Sequence, residues 1–264
     1  MGGGATDAST APPYSLPPSL FMPEDILFCV DIGPESGRQM RVSGPKGNNV
    51  LTRLDAIKQA LLLFAHAKLT MCMDHRFAFS YLGSSFSMVK EFTNNIKSVA
   101  EVVRTLTTPD VLSEDVDITK LFEVANCEGN KSRALGHLFR VVLIYCRSSV
   151  WPQYKWPAKQ KTFTMDVVYL HDKPGPDNCP QLVYDALGDA AEQVSEHVSY
   201  IFETGQGLTR ILFRHMCILL AHPIQRCAQD DIDMPKPVVK RVLPGGGDGT
   251  MGEERAVISN LFKH

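Results

Sequence analysis

Two carboxylates, Asp31 and Glu35, are the residues of this sequence best placed by type and spacing to do chemistry. They follow the apolar run Ile26-Leu27-Phe28-Cys29-Val30 and frame the turn Ile32-Gly33-Pro34-Glu35-Ser36-Gly37. A loop bearing paired carboxylates could hold a magnesium-type cation, because hard cations take oxygen ligands. The other reading is an Asp that ends a strand and caps its own turn, with Glu35 solvated. The second reading is favoured, since no hydroxyl or further carboxylate ligand is evident in the later loops. At the end of a later strand, Tyr145-Cys146-Arg147 places a cation instead.

Two other stretches could recognise a partner. In Cys217-Ile218-Leu219-Leu220-Ala221-His222-Pro223-Ile224-Gln225-Arg226-Cys227, Pro223 stops an apolar helix. By spacing alone this is foremost an ordinary helix C-terminus, with Arg226 near the negative end of the helix dipole. The sharper reading is a short linear docking motif, extended because of the proline, with Arg226 as its anchor. The loop Trp151-Pro152-Gln153-Tyr154-Lys155-Trp156-Pro157 has two readings as well. Its rings could be exposed interface anchors, or could fold back as a lid on the core.

Enzyme chemistry has little behind it. Asp31-x-Gly33-x-x-x-Gly37 matches neither a dinucleotide-binding GxGxxG nor a phosphate loop with its lysine and hydroxyl. Gly83-Ser84-Ser85-Phe86-Ser87 is not a nucleophile elbow. His66, His75, His137, His171, His197, His215 and His222 form no metal-ligand pair. The expectation is a protein with no catalytic residues, no metal and no cofactor.

The elements that must position these residues alternate along the chain. Ile26–Asp31 reads as a strand buried on both faces, as at the centre of a parallel sheet. A helix is expected over 52–69, strands at 76–82 and 86–92, and a helix over 93–106. Helix over 118–125, a helix or turn over 131–137, and strands at 139–146 and 164–170 follow. A helix over 181–194, a strand at 197–203 and a helix over 206–221 complete the series. This near-alternation implies an α/β fold with a mostly parallel sheet between helices.

Composition sets the limits. The 264 residues allow one sizeable α/β domain or two small ones, and 44% hydrophobic with 21% charged residues is ordinary for globular chains. The formal net charge of -2 gives no electrostatic footprint for nucleic acid or an acidic membrane. The seven scattered cysteines, without a CxxC pair, suggest a reducing environment. The start of the chain has no secretory pattern, and no apolar run is long enough to span a bilayer. Residues 1–23 read as a disordered leader, 24–221 as the domain, and 222–264 as a docking segment with a flexible tail.

A strand ending in Asp, followed by a serine-bearing turn and this α/β order, resembles a von Willebrand factor A domain with a Rossmann-like fold. That family's metal motif is Asp-x-Ser-x-Ser with a later Thr and Asp. Here Asp31 matches, but Gly33 and Glu35 stand at the serine positions, and Cys146 or Arg147 stands near the later Asp. Thr119 is a candidate for the Thr. The resemblance thus implies a degenerate metal-site remnant at Asp31 and Glu35. More specifically, Val141 to Arg147, Asp166 to His171 and above all Leu219 to Arg226 are similar to the scaffold-subunit family of the BRISC and breast-cancer-protein A deubiquitinase complexes.

This resemblance, over about residues 24–227, implies a non-catalytic adaptor in a complex that cleaves lysine-63-linked ubiquitin chains. The implied partner is the subunit with ubiquitin-conjugating-enzyme-like folds, and through it the metalloprotease and its scaffold. By match, the docking residues would be His222, Pro223, Gln225 and Arg226. Cytoplasmic and nuclear locations and a part in the DNA damage response are further implications. The competing expectation is a metal-dependent receptor of von Willebrand factor A type, using Asp31 and Glu35.

Overall fold

The computed structural model describes residues 22–40, 51–83, 85–108, 115–156, 161–205 and 209–233. The chain divides into units Met1–Asp230 and Asp231–His264, and of the second only residues 231–233 are described. The expected leader, apart from Met22 and Pro23, and most of the expected tail lie outside the described residues.

A six-stranded sheet organises the first unit. Its strands are β1 (Glu24–Asp31), β2 (Arg76–Leu82), β3 (Phe86–Thr93), β4 (Leu138–Tyr145), β5 (Thr164–Leu170) and β6 (Ile201–Thr204). They lie in the order β3-β2-β1-β4-β5-β6, and all neighbouring pairs are parallel except the antiparallel edge pair β2–β3. This is the order of a doubly wound sheet, whose ligand crevice lies where the winding reverses, between β1 and β4. The fold is α/β, as the alternation implied, and Rossmann-like, as the resemblance implied. Every residue of β1 is buried, because β1 has a strand on each side and helices over each face.

Among the described residues, five α-helices cover the sheet: α1 (Arg53–Met71), α2 (Ile96–Thr105), α3 (Thr119–Ala134), α4 (Pro180–Val194) and α5 (Thr209–Ile218). Side chains alternate across a strand, so neighbouring residues of β1 serve opposite layers. Phe28 meets Phe64 of α1 edge-on at 5.5 Å and stacks on Phe79 at 5.3 Å. Leu27 and Cys29 join Leu121 and Phe122 of α3 and Val183 and Leu187 of α4 on the other side. α1 starts at a capping box, in which Thr52 Oγ1 accepts from the Asp55 amide at 3.0 Å and Asp55 accepts from the Thr52 amide at 3.2 Å. Gly136, with φ 75°, ends the turn after α3 in the left-handed region that glycine favours.

The expected and observed elements differ most at three places. The two pieces at 118–125 and 131–137 are joined in the single helix α3. Within it Gly129 packs so closely on Thr162 that a Cβ would come within 2.5 Å of its carbonyl oxygen. The strand expected over 197–203 is confined to Ile201–Thr204. Before it, the amides of His197 and Tyr200 are taken by the side chains of Thr164 and Asp166, which withdraws them from the ladder. The last helix ends at Ile218, where Leu220 and Ala221 turn through tighter bonds to Cys217 and Ile218. Beyond α5 the first unit runs on to Asp230.

Candidate functional site

Asp31 lies at the carboxyl end of β1, at the reversal point of the sheet, and is fully buried. Both carboxylate oxygens are engaged. Oδ1 accepts from the Gly33 amide at 2.9 Å and Oδ2 from the Cys146 amide at 3.1 Å. Arg147 Nε lies 3.2 Å from each oxygen, and Arg147 Nη2 donates to the Gly83 carbonyl at 2.6 Å. Burial pushes the Asp31 carboxyl above its ordinary range, and the opposing pull comes first from Arg147.

Glu35 belongs to a separate cluster. Its carboxylate accepts from the Ser148 amide at 2.8 Å and the Ser148 hydroxyl at 2.5 Å, and pairs with Arg53 at 3.4 Å. Arg53 in turn holds Asp172 at 2.5 Å, and Arg38 also pairs with Asp172. The Asp31 turn cap expected from the sequence is present, whereas the expectation of a solvated Glu35 is corrected. Ser148 and the two arginines draw its carboxylate back onto the body.

A divalent cation of the von Willebrand type does not fit these residues. The place beside Asp31 is taken by the Arg147 guanidinium, and a Cβ at position 33, where a ligand serine would stand, would come within 3.0 Å of Asp31 Oδ1 and 3.1 Å of Arg147 Nε. Thr119 is not brought there, because its hydroxyl oxygen accepts from the Lys155 amide at 2.9 Å. No group of three or more His, Cys, Asp or Glu side chains that could hold a metal occurs among the described residues. The metal-receptor expectation for Asp31 and Glu35 therefore finds their oxygens committed to protein donors.

The opposite end of the sheet buries a longer ionic chain. Arg140, fully buried near the start of β4, donates to Asp166 at 2.6 Å, to Glu24 at 3.1 Å and to the Leu219 carbonyl at 2.7 Å. Glu24 also pairs with Lys68 of α1. Full burial alone would raise the Asp166 carboxyl, but Arg140 and Arg226 hold it below the usual carboxylate range. Glu24 is likewise lowered against its burial, by Arg140 and Lys68.

The segment 222–226 sits at this end. Pro223–Gln225 forms a short 3-10 turn, so the stretch is not extended as the docking reading expected. The reason is the cap: His222 Nδ1 accepts from the Ile224 amide at 3.4 Å, while the Gln225 amide donates to the His222 carbonyl at 2.8 Å. His222 and Pro223 are buried, whereas Ile224 and Gln225 are exposed. The Arg226 side chain turns inward onto Asp166, at 2.6 and 3.0 Å, rather than outward as an anchor.

The aromatic loop follows both of its readings, residue by residue. Tyr154 and Trp156 fold back onto Phe122, with ring centroids 5.4 and 5.6 Å away, while Trp151 stays 46% exposed. Sequence reading missed the roles of Glu24, Arg140 and Asp166. The available signal was charge inside strands that are otherwise apolar, Arg140 ahead of Val141-Val142-Leu143 and Asp166 ahead of Val167-Val168. Almost no charged side chain is fully buried unless paired, so each such residue demands a partner.

No protein-family model matches the chain, and no curated protein does. Solved structures are similar to it in fold. The SpRpn10 VWA domain is 10% identical with a TM-score of 0.47, over 72% of this chain and 94% of that one. The TFIIH p34 N-terminal domain is 14% identical with a TM-score of 0.48, over 75% and 98%. A von Willebrand factor type A protein from Catenulispora acidiphila is 10% identical with a TM-score of 0.44, and the match spans 75% of this chain but 42% of that protein. No helix among the described residues is long and apolar enough to cross a membrane.

Proposed function

We propose that this protein is a non-catalytic adaptor of a deubiquitinase complex acting on lysine-63-linked ubiquitin chains. It docks the subunit with ubiquitin-conjugating-enzyme-like folds and, through it, the metalloprotease and its scaffold. The reading starts from the resemblance of Leu219 to Arg226 to the docking element of that family. One structural observation supports it: the turn Pro223–Gln225 is fixed on the body with Ile224 and Gln225 at its surface. Work in both cytoplasm and nucleus, with a nuclear part in the DNA damage response, belongs to the same proposal.

The test is a pull-down with that subunit. Ile224→Ser combined with Gln225→Ala should remove binding and leave the melting temperature unchanged, because both residues are exposed. Truncating an interface anchor costs about 2 kcal/mol or more, enough to lose the signal. Binding at the wild-type level would sink the docking assignment.

A further inference from the structure

Three side chains fasten the segment 222–229 to the amino end of the sheet and to its edge. His222 Nε2 lies 3.2 Å from the Met22 carbonyl oxygen. Arg226 forms a two-pronged pair with Asp166, at 2.6 and 3.0 Å, and donates to the carbonyls of Val198 at 3.1 Å and Ala221 at 3.3 Å. Its guanidinium also lies 4.5 Å from the centre of the Tyr200 ring. Gln229 accepts from the Ile201 amide at 2.7 Å and donates to the Ile201 carbonyl at 2.8 Å. One side-chain amide thereby gives edge strand β6 the paired bonds that a neighbouring strand would supply.

We infer that Arg226 is a positioning residue whose buried clamp on Asp166 sets the turn Pro223–Gln225 on the body, leaving contact with the partner to Ile224 and Gln225. This rests on the docking reading above. The geometry behind it is direct. The Arg226 bonds occupy both oxygens of one carboxylate and two carbonyls, so a partner that took the guanidinium would have to break a paired buried charge. Asp166 is itself fixed by Arg140 at 2.6 Å and by the Tyr200 amide at 2.9 Å, so the clamp has a rigid base. The turn follows from the clamp because only Ile224 and Gln225 separate Pro223 from Arg226.

Hydrogen exchange on the free full chain tests the clamp without any partner. Arg226→Ala should speed exchange across 222–229 at least tenfold, and also at the Ile201 amide, whose acceptor is Gln229. β1 and β4 should keep their protection, since Asp166 remains paired with Arg140. Arg226→Met, which retains an apolar stem over Tyr200, is the second variant should the alanine protein unfold, and the same local speeding is expected. Arg226→Lys, with one prong, should lie between alanine and wild type. Unchanged exchange over 222–229 in both Arg226→Ala and Arg226→Met would overturn the inference, as would loss of partner binding with exchange unchanged. If exchange speeds up but neither Arg226→Ala nor the Ile224/Gln225 double variant affects partner binding, the clamp stands and the docking reading alone falls.

Discussion

At the carboxyl end of the sheet, Asp31 meets one guanidinium, from Arg147, just beyond the strand beside its own. At the amino end, Asp166 meets two, from Arg140 and from Arg226, and the second comes from the segment that follows α5. Both are buried carboxylate–guanidinium pairs in one α/β body, yet they do different work. The first fills the place beside Asp31, at the end of the sheet where a doubly wound fold commonly binds a ligand. The second ties on a surface turn. The difference teaches that the conspicuous position of a carboxylate in the fold is a weaker guide to its role than the origin of its partner.

The largest expected effect breaks the amino end. Arg140→Ala strips one of two cations from each of Asp166 and Glu24, leaving Arg226 and Lys68, and breaking these buried pairs should cost about 3–5 kcal/mol, read from the urea midpoint. A change under about 1 kcal/mol would show that these carboxylates are neutral or find other donors.

At the carboxyl end, Arg147→Ala should cost about 3 kcal/mol, because Asp31 keeps only amide donors. Asp31→Asn combined with Arg147→Met should recover most of that loss, since removing both charges is far milder than removing one. Titration calorimetry sharpens the point: magnesium should give no saturable heat with the wild type. Saturable binding abolished by Asp31→Ala would restore the metal reading.

Acid should distinguish the ends by a smaller amount. His75 Nδ1 accepts from the Glu24 amide at 2.8 Å, and burial pushes its pKa from 6.5 down to about 4. His215, stacked on Phe202, is also pushed down by burial to about 4. A histidine whose folded pKa lies below its unfolded one binds fewer protons in the folded state. Its contribution is fully present above pH 6.5 and is lost as pH falls toward 4, at up to about 1.4 kcal/mol per pH unit for each group. Urea midpoints at pH 7 and pH 5 should show the fall, and His75→Gln should make the slope shallower. Asp31 runs the other way, because a raised carboxyl pKa favours the folded state as pH falls. The smallest effect lies away from both ends: Trp151→Ser should change stability by less than about 0.5 kcal/mol, as for an exposed residue, on thermal melting.

Much of the fold was legible in the chain. The run Ile26–Val30 announced a strand buried on both faces, and alternating periodicities gave the order of layers. These are local consequences of side-chain type and spacing. The turn cap at Asp31 was legible for the same reason, since its bond to the Gly33 amide spans two residues. The cation after Tyr145 was visible too, though not its seat on Asp31.

The site beyond the turn cap was not legible, because its contacts join residues far apart in sequence. Arg226 and Asp166 are separated by 60 positions, and Arg140 and Glu24 by 116. Proline after a helix allowed an outward extended motif; the inward turn depends on a carboxylate on β5 that no local pattern links to it. Residue type required that each buried charge be paired, because burial takes it out of bulk solvent. Which charge met which was decided only when β4 and β5 were laid side by side and Arg226 reached Asp166 near their amino ends.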